Sequence, residues 1–277
     1  MTLPFALNHM SVAKADYATT LDIAAQLGCV GVEFRNDLPG ELFSGDAPSK
    51  VRELAHAKGL RILGLSEVKM FNVWDSTKAQ EARALLTIAK EIGAETISLI
   101  PRCDGLGCGN GERQANLRLA LKEILPMLQD ANMVGLVEPL GFGHSSLRYK
   151  SEAMDVITAL NGEAHLKLVH DTFHHYLAEE TEFYPDHTGI VHVSGVEDKT
   201  LALGEIGDEH RVLVGPDDIL GNSAQLRRLR DGGYCGPISY EAFSPIVHDF
   251  ADPVGELKSS LKFLQETTAA DASANAR

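Results

Sequence analysis

Short apolar runs alternate with longer amphipathic segments along most of the chain. The runs read as strands at 3–8 (LPFALN), 29–34 (CVGVEF), 61–66 (RILGLS), 96–100 (TISLI), 133–138 (MVGLVE), 166–171 (LKLVHD), 190–194 (IVHVS) and 237–241 (PISYE). Between them, apolar residues recur at helical spacing. That pattern predicts helices over Tyr17–Leu27, Ser49–Lys58 and Lys78–Ile92, closed by Gly28, Gly59 and Gly93. A glycine just past a helix readily takes the left-handed conformation that ends it. Further helices fit 112–131, 151–160, 218–231 and 254–266. The pattern weakens after 171, so the sixth helix is expected to be short or irregular, with 179–189 as loop.

Repeated strand–helix units imply a parallel sheet, because parallel neighbours need a crossover connection. Eight units favour closure, so the expected fold class is α/β, a single-domain (β/α)₈ TIM barrel over 1–266. The tail 267–277 (TTAADASANAR) is small and polar and is expected to be flexible. An open dinucleotide-binding sheet would more often carry a glycine-rich turn after its first strand. Here LPFALNHMSV follows with no glycine. The long non-periodic stretches 34–46, 66–77, 101–111, 139–150 and 195–217 come mainly after strands. Those are the loops that build active sites in such barrels.

Composition removes several classes of function. The formal charge of −14 and the lack of a basic patch argue against a nucleic-acid partner. The densest basic run, Arg227, Arg228 and Arg230, reads as the solvated face of a helix. The cysteines at 29, 103, 108 and 235 lack zinc-ribbon spacing and a disulfide pattern. Cys29 and Cys235 are expected to be buried thiols at strand starts. No signal peptide or membrane-length apolar run is visible, so a cytoplasmic location is expected, with no membrane partner. The oligomeric state stays open, a homo-oligomer included.

Four polar residues end the late strands: Glu138 in GLVEPLGF, Asp171 in LVHDTFHH, His192 in IVHVSGVED and Glu241 in ISYEAFSP. In a closed barrel these strand ends converge on one mouth. Three carboxylates crowded there could not all ionise without a cation. The expected site therefore holds one divalent metal through Glu138, Asp171, His192 and Glu241. The imidazole favours Mn²⁺ or Zn²⁺ over Mg²⁺ or Co²⁺. The blander reading makes each residue a helix cap or rim charge. His174, three residues past Asp171, shares a helical face with it if a helix starts there. Arg211 suits substrate oxygens, or a salt bridge to Asp208 or Glu209. His144 could line the mouth. On the early strands Asn8, Glu33, Arg35, Glu67 and Lys69 are candidates for binding hydroxyls, with Glu33–Arg35 also readable as an internal ion pair.

At these residues the chain resembles the xylose-isomerase-like barrel superfamily, which includes sugar isomerases, ketose epimerases and AP endonucleases. VEFRNDLPGEL, LVHDTFHHYLAEE, IVHVSGVEDKTLALGEIGDEHRVLVGPDDI and GGYCGPISYEAFSP are similar to the inosose isomerases (2-keto-myo-inositol isomerases) of inositol catabolism within it. The resemblance covers 3–265 and departs from the family pattern at Asn8-His9 and Glu138-Pro139. It implies an isomerase acting on a keto-cyclitol or ketose by proton transfer through a metal-stabilised enediolate. Glu138 and Glu241 would be ligands and also the acid/base pair. His174, Arg211, His144 and Asn8 would contact substrate. An inosose dehydratase or a ketose 3-epimerase fits the same metal set. An AP endonuclease is disfavoured by the charge and the sparse early-strand ligands.

Overall fold

A strand sends alternate residues to opposite faces, and eight strands here use that period to the same end. In the computed structural model, which describes residues 2–270, they are β1 (Phe5–Asn8), β2 (Gly31–Arg35), β3 (Arg61–Lys69), β4 (Thr96–Ile100), β5 (Val134–Val137), β6 (Leu166–Asp171), β7 (Thr188–Val193) and β8 (Ile238–Tyr240). Each pairs in parallel with the next, and β8 closes on β1 with Phe5 beside Ile238 and Leu7 beside Tyr240. The outer ring comprises α1 (Tyr17–Gln26), α2 (Pro48–Ala57), α3 (Ser76–Ile92), α4 (Glu112–Ala131), α5 (Lys150–Ala159), the short α6 (Thr172–Leu177), α7 (Asn222–Asp231), α8 (Pro245–His248) and α9 (Pro253–Ala270). The expected (β/α)₈ barrel is what forms.

The sheet's outer face, with Leu7, Val32, Phe34, Val137, Leu168, Val191 and Ile238, belongs to the large core under the helices. Its inner face contributes a separate cluster of Ala6, Leu63, Leu136, Val169 and Ile190 that plugs the barrel. Two residues beyond four of these plug residues stand Asn8, Glu138, Asp171 and His192, all buried. One period of two thus builds an apolar plug and then a polar layer above it.

The glycines at 28, 59 and 93 are left-handed, at φ of 70°, 71° and 74°, as the helix ends require. Other boundaries differ from expectation. β3 runs on to Lys69, taking in residues expected in a loop. α7 starts at Asn222 rather than 218 because 218–221 is a turn: the Asp218 carboxylate accepts from the backbone N–H groups of Val196, Leu220 and Asn222. α9 continues to Ala270, and the rest of the expected tail, 271–277, lies outside the described residues. Cys29 is buried as expected, but Cys235 is exposed, because β8 begins only at Ile238 and leaves Cys235 in the preceding turn. Among the described residues no helix is long and apolar enough to cross a membrane.

The face of α6 turned away from the barrel mouth is fixed by a buried polar cluster. Lys150 bonds the Nδ1 of His175 at 2.8 Å and pairs with Glu180. His175 lies against His170 and Phe183, with ring centroids 4.8 and 4.5 Å away. Burial first, then the charges of Lys150 and Arg228, pull the His175 imidazole down to about 3. The unfolded chain therefore takes up a proton below about pH 6.5 that the folded chain refuses, so stability falls as pH drops through that window. His175→Gln should lessen this acid sensitivity. Between pH 6.5 and 4 the variant should lose about 2 kcal/mol less unfolding free energy than the parent, by urea titration at each pH. Identical pH slopes would contradict the assignment.

Candidate metal centre

Glu138, Asp171, His192 and Glu241 are all buried, each offers one ligand atom, and these atoms all lie within 4.8 Å of one another. Parallel pairing accounts for the convergence: Asp171 sits beside His192, and His192 beside Ser239, two residues before Glu241. Glu138 follows directly on β5.

His192 has its two nitrogens in different company. Nε2 lies 3.1 and 3.2 Å from the two oxygens of Glu33. Nδ1 is 3.2 Å from Glu241 and 3.7 Å from Glu138, yet it is buried with no hydrogen bond of proper geometry. Glu33 thus takes up Nε2, which leaves Nδ1 as the nitrogen open to a metal, facing a ring of carboxylate oxygens. A histidine braced by a carboxylate behind it is the usual arrangement of an imidazole metal ligand. Three oxygens and one nitrogen suit a divalent cation, so the residues present fit one.

The two glutamates are held differently. On Glu241, Oε1 accepts from Asn8 at 3.1 Å and from Arg35 at 2.7 Å, while Oε2 accepts from Arg211 at 3.1 Å. Burial alone would raise the Glu241 carboxyl, but the positive charges of His192, Arg211 and Arg35 outweigh it and hold the group well below the usual carboxylate range. Glu138 touches no arginine in this way, and burial pushes it upward against the pull of His192. For His192, burial disfavours the charged ring, yet Glu241 and Glu33 more than offset that and raise it well above the ordinary histidine value. A cation at Nδ1 would take that proton's place, as ligand imidazoles must be neutral.

Asp171 serves three donors at once. Oδ1 accepts from the Phe173 and His174 backbone N–H groups at 2.7 and 3.3 Å, capping α6, while Oδ2 accepts from Arg211 at 2.7 Å. Arg211 is almost fully buried, donates from Nε to Ser194 at 2.9 Å, and lies between the rings of Phe173 and Phe243 at 4.7 and 4.5 Å. The anticipated bond to Asp208 exists but is the longest it makes, 3.4 Å. His174 is buried on α6, packed edge-on against Phe142 and Phe173, with Nδ1 lacking a partner. The loop that brings Phe142 there depends on Gly141, where a Cβ would lie 2.2 Å from the His174 carbonyl oxygen. His144 stands apart: it is exposed and stacks on Phe142 at 5.3 Å.

Asn8 is fully buried and bridges Glu241 and Glu33, at 3.1 and 3.4 Å, so it orients the cluster. Glu33 and Arg35 do not pair with each other. Two residues apart on one strand, they point the same way, and each finds an opposite charge across the barrel: Glu33 meets His192, and Arg35 meets Glu241. Arg35 is also forked onto Asp37, at 2.8 and 2.7 Å. Sequence reasoning had marked both positions but not these partners. It missed Ser194, Phe173 and Phe243, whose apolar or hydroxyl side chains carry no chemical signal on their own.

Residues 21–267 match the xylose isomerase-like TIM barrel family, and the chain belongs to it. Among solved structures, a xylose isomerase domain containing protein from Salmonella typhimurium LT2 is 29% identical, with a TM-score of 0.88 over 95% of this chain and 99% of its own. The IolI protein, solved with a bound zinc atom, is 18% identical, with a TM-score of 0.87 over 98% of this chain and 100% of its own. A D-allulose 3-epimerase from Methylomonas sp., in complex with D-allulose, is 17% identical, with a TM-score of 0.70 over 96% and 97%. At the two lower identities the likeness is one of fold. A search of curated proteins returns no significant match.

Glu33 braces His192 from behind its Nε2. Glu33→Gln should weaken divalent-metal binding about 10- to 100-fold, the usual effect of losing such a support, while the thermal melt of the folded protein persists. Calorimetric titration with Mn²⁺ or Zn²⁺ measures this, and an unchanged affinity would refute the role given to Glu33.

Proposed function

We propose that the chain is a divalent-metal-dependent isomerase or epimerase of a keto-cyclitol or ketose, and in its narrowest form an inosose isomerase. The observation that carries this reading is the buried ring of three carboxylates around an unpartnered imidazole nitrogen. The neighbours support it: IolI was solved with zinc, and others carry the names D-allulose 3-epimerase and L-ribulose 3-epimerase. Glu138, Asp171, His192 and Glu241 would hold the ion, with Mn²⁺ or Zn²⁺ favoured by the imidazole. When bound, the cation would supply Lewis-acid polarisation of the substrate's carbonyl and hydroxyl oxygens.

The chain's own residues do the rest. Glu138 and Glu241 reach the site from different strands, so one can remove the proton next to the carbonyl while the other returns a proton at the neighbouring position or the opposite face. Glu138, free of arginine contacts, has the less engaged oxygens for receiving a proton from carbon. His174, whose Nδ1 has no partner, and the guanidinium of Arg211, bonded to Asp171, would hold substrate oxygens. Phe142, Phe173 and Phe243 limit water around them, which strengthens every charge inside. Asn8 keeps Glu241 in register, and His144 would meet only the outer part of a substrate.

Isomerase, 3-epimerase and dehydratase share the first proton removal and part at the product. The test is metal-reconstituted protein with 2-keto-myo-inositol and D-allulose in D₂O, followed by NMR. Deuterium in a rearranged ketone identifies an isomerase, and deuterium at an inverted carbon an epimerase. An enone or dione identifies the dehydratase. Absence of exchange with every ketone would sink all three. Glu241→Gln should cut turnover about 10²- to 10⁴-fold, the usual contribution of a positioned acid or base, and near-normal turnover would remove Glu241 from the chemistry.

A further inference from the structure

The mouth has a second side, built by the early strands, where one carboxyl lacks a role. β3 and β4 pair Leu65 with Ile97 and then Val68 with Leu99, so three steps on β3 match two on β4. The extra residue lies at Ser66–Glu67. A bulge of this kind re-aims a side chain and is common beside active sites. Here it takes Glu67 out of the strand's alternation. The Glu67 peptide is locked in place by Asn36, whose side chain accepts from its N–H at 2.8 Å and donates to its carbonyl at 3.2 Å.

The Glu67 side chain is only 7% exposed, yet among the described residues its carboxyl oxygens receive no hydrogen bond. The nearest cation is Nη2 of Arg35, 3.9 Å away, beyond bonding distance and already committed to Asp37. Arg35 in turn donates to Glu241, which puts Glu67 one guanidinium away from the candidate metal ligands, and Glu138 is near enough to act on its carboxyl. Burial pushes the Glu67 carboxyl up to about 7 against the opposing charge of Arg35. A largely desolvated carboxyl with no donor from the protein gains from any donor that reaches it.

A polyhydroxy substrate can supply it. The surrounding charge also says which kind. Arg35 and Arg102 are both forked onto neighbouring aspartates, Asp37 and Asp104, and Lys69 is exposed to solvent. Against the charges of Arg35 and Lys69 stand the acidic groups of Glu67, Asp37 and Glu138, which leaves this side without a net positive pull for a phosphate ester.

We propose that Glu67 is a specificity-determining residue that accepts a hydrogen bond from a substrate hydroxyl remote from the reacting carbons, and so selects unphosphorylated polyhydroxy ketones over their phosphate esters. This rests on the isomerase or epimerase reading, which it extends from reaction type to substrate class.

The test uses the metal-loaded full-length protein and three probes: 2-keto-myo-inositol, D-allulose and D-fructose 6-phosphate. Wild type should bind and turn over one of the two neutral ketones and discriminate against the phosphate ester. Glu67→Leu should raise KM for the neutral ketone about 10- to 100-fold, as expected for losing a hydrogen bond to a charged group, with a much smaller change in kcat. Metal affinity should stay within about twofold, since Glu67 binds no ligand atom. Glu67→Gln, which keeps an acceptor oxygen, should restore part of the loss and guards against a folding defect in the leucine variant.

Calorimetric binding of the neutral ketone separates the two ideas. Ketone binding that depends on Glu67, without turnover, would sustain the role of Glu67 and overturn the isomerase reading. Turnover with KM unchanged in both variants, or a preference for the phosphate ester, would overturn the role of Glu67 alone. No binding of either neutral ketone would overturn both.

Discussion

Glu138, Asp171 and Glu241 bring three carboxylates to within 4.8 Å of one another and of His192, in a place that water scarcely reaches. Like charges so close in a low-dielectric setting cannot all persist without opposite charge. Much of the surrounding structure answers this constraint. Arg35 and Arg211 each take one oxygen of Glu241, Arg211 also takes Asp171, and Asn8 adds a neutral donor. These groups leave one direction unfilled, the Nδ1 side of His192. A divalent cation there would complete the balance, with Glu33 holding the imidazole from behind.

The same constraint explains why the supports are stiff. Arg211 is pressed between two phenylalanine rings and tied to Ser194, so its charge cannot relax toward solvent. Asp171 is locked by its second duty as the cap of α6, and the far face of α6 is anchored through His175 to Lys150 and Glu180. The candidate ligand Asp171, the His174 side chain and the packing of the helix are thus linked through one short helix. Gly141 allows the neighbouring loop to come close enough to close that side of the pocket.

The barrel and the four converging residues were legible in the sequence for one reason. The period-two alternation that makes Leu136, Val169 and Ile190 an apolar plug puts Glu138, Asp171 and His192 on the same inner face, one layer higher. A charged residue at the end of an apolar strand stands out against its neighbours. The partners were not legible. Glu33 and Arg35 look like a pair when read along the chain, but closure of the barrel brings β2 across from β7 and β8, and each finds a partner there instead. Phe173 and Phe243 resemble any core phenylalanine until Arg211 is seen between them. The bulge that turns Glu67 inward arises from the pairing of β3 with β4, a relation that neither strand's own sequence encodes.

The central claim is a single divalent ion held by one imidazole nitrogen and carboxylate oxygens. X-ray absorption at the metal edge of protein loaded with one equivalent of Zn²⁺ tests it most directly. The expected first shell has one nitrogen near 2.0–2.1 Å and oxygens near 2.0–2.2 Å, with no sulfur. A sulfur at about 2.3 Å, two or more imidazoles, or no ordered shell at one equivalent would contradict the account.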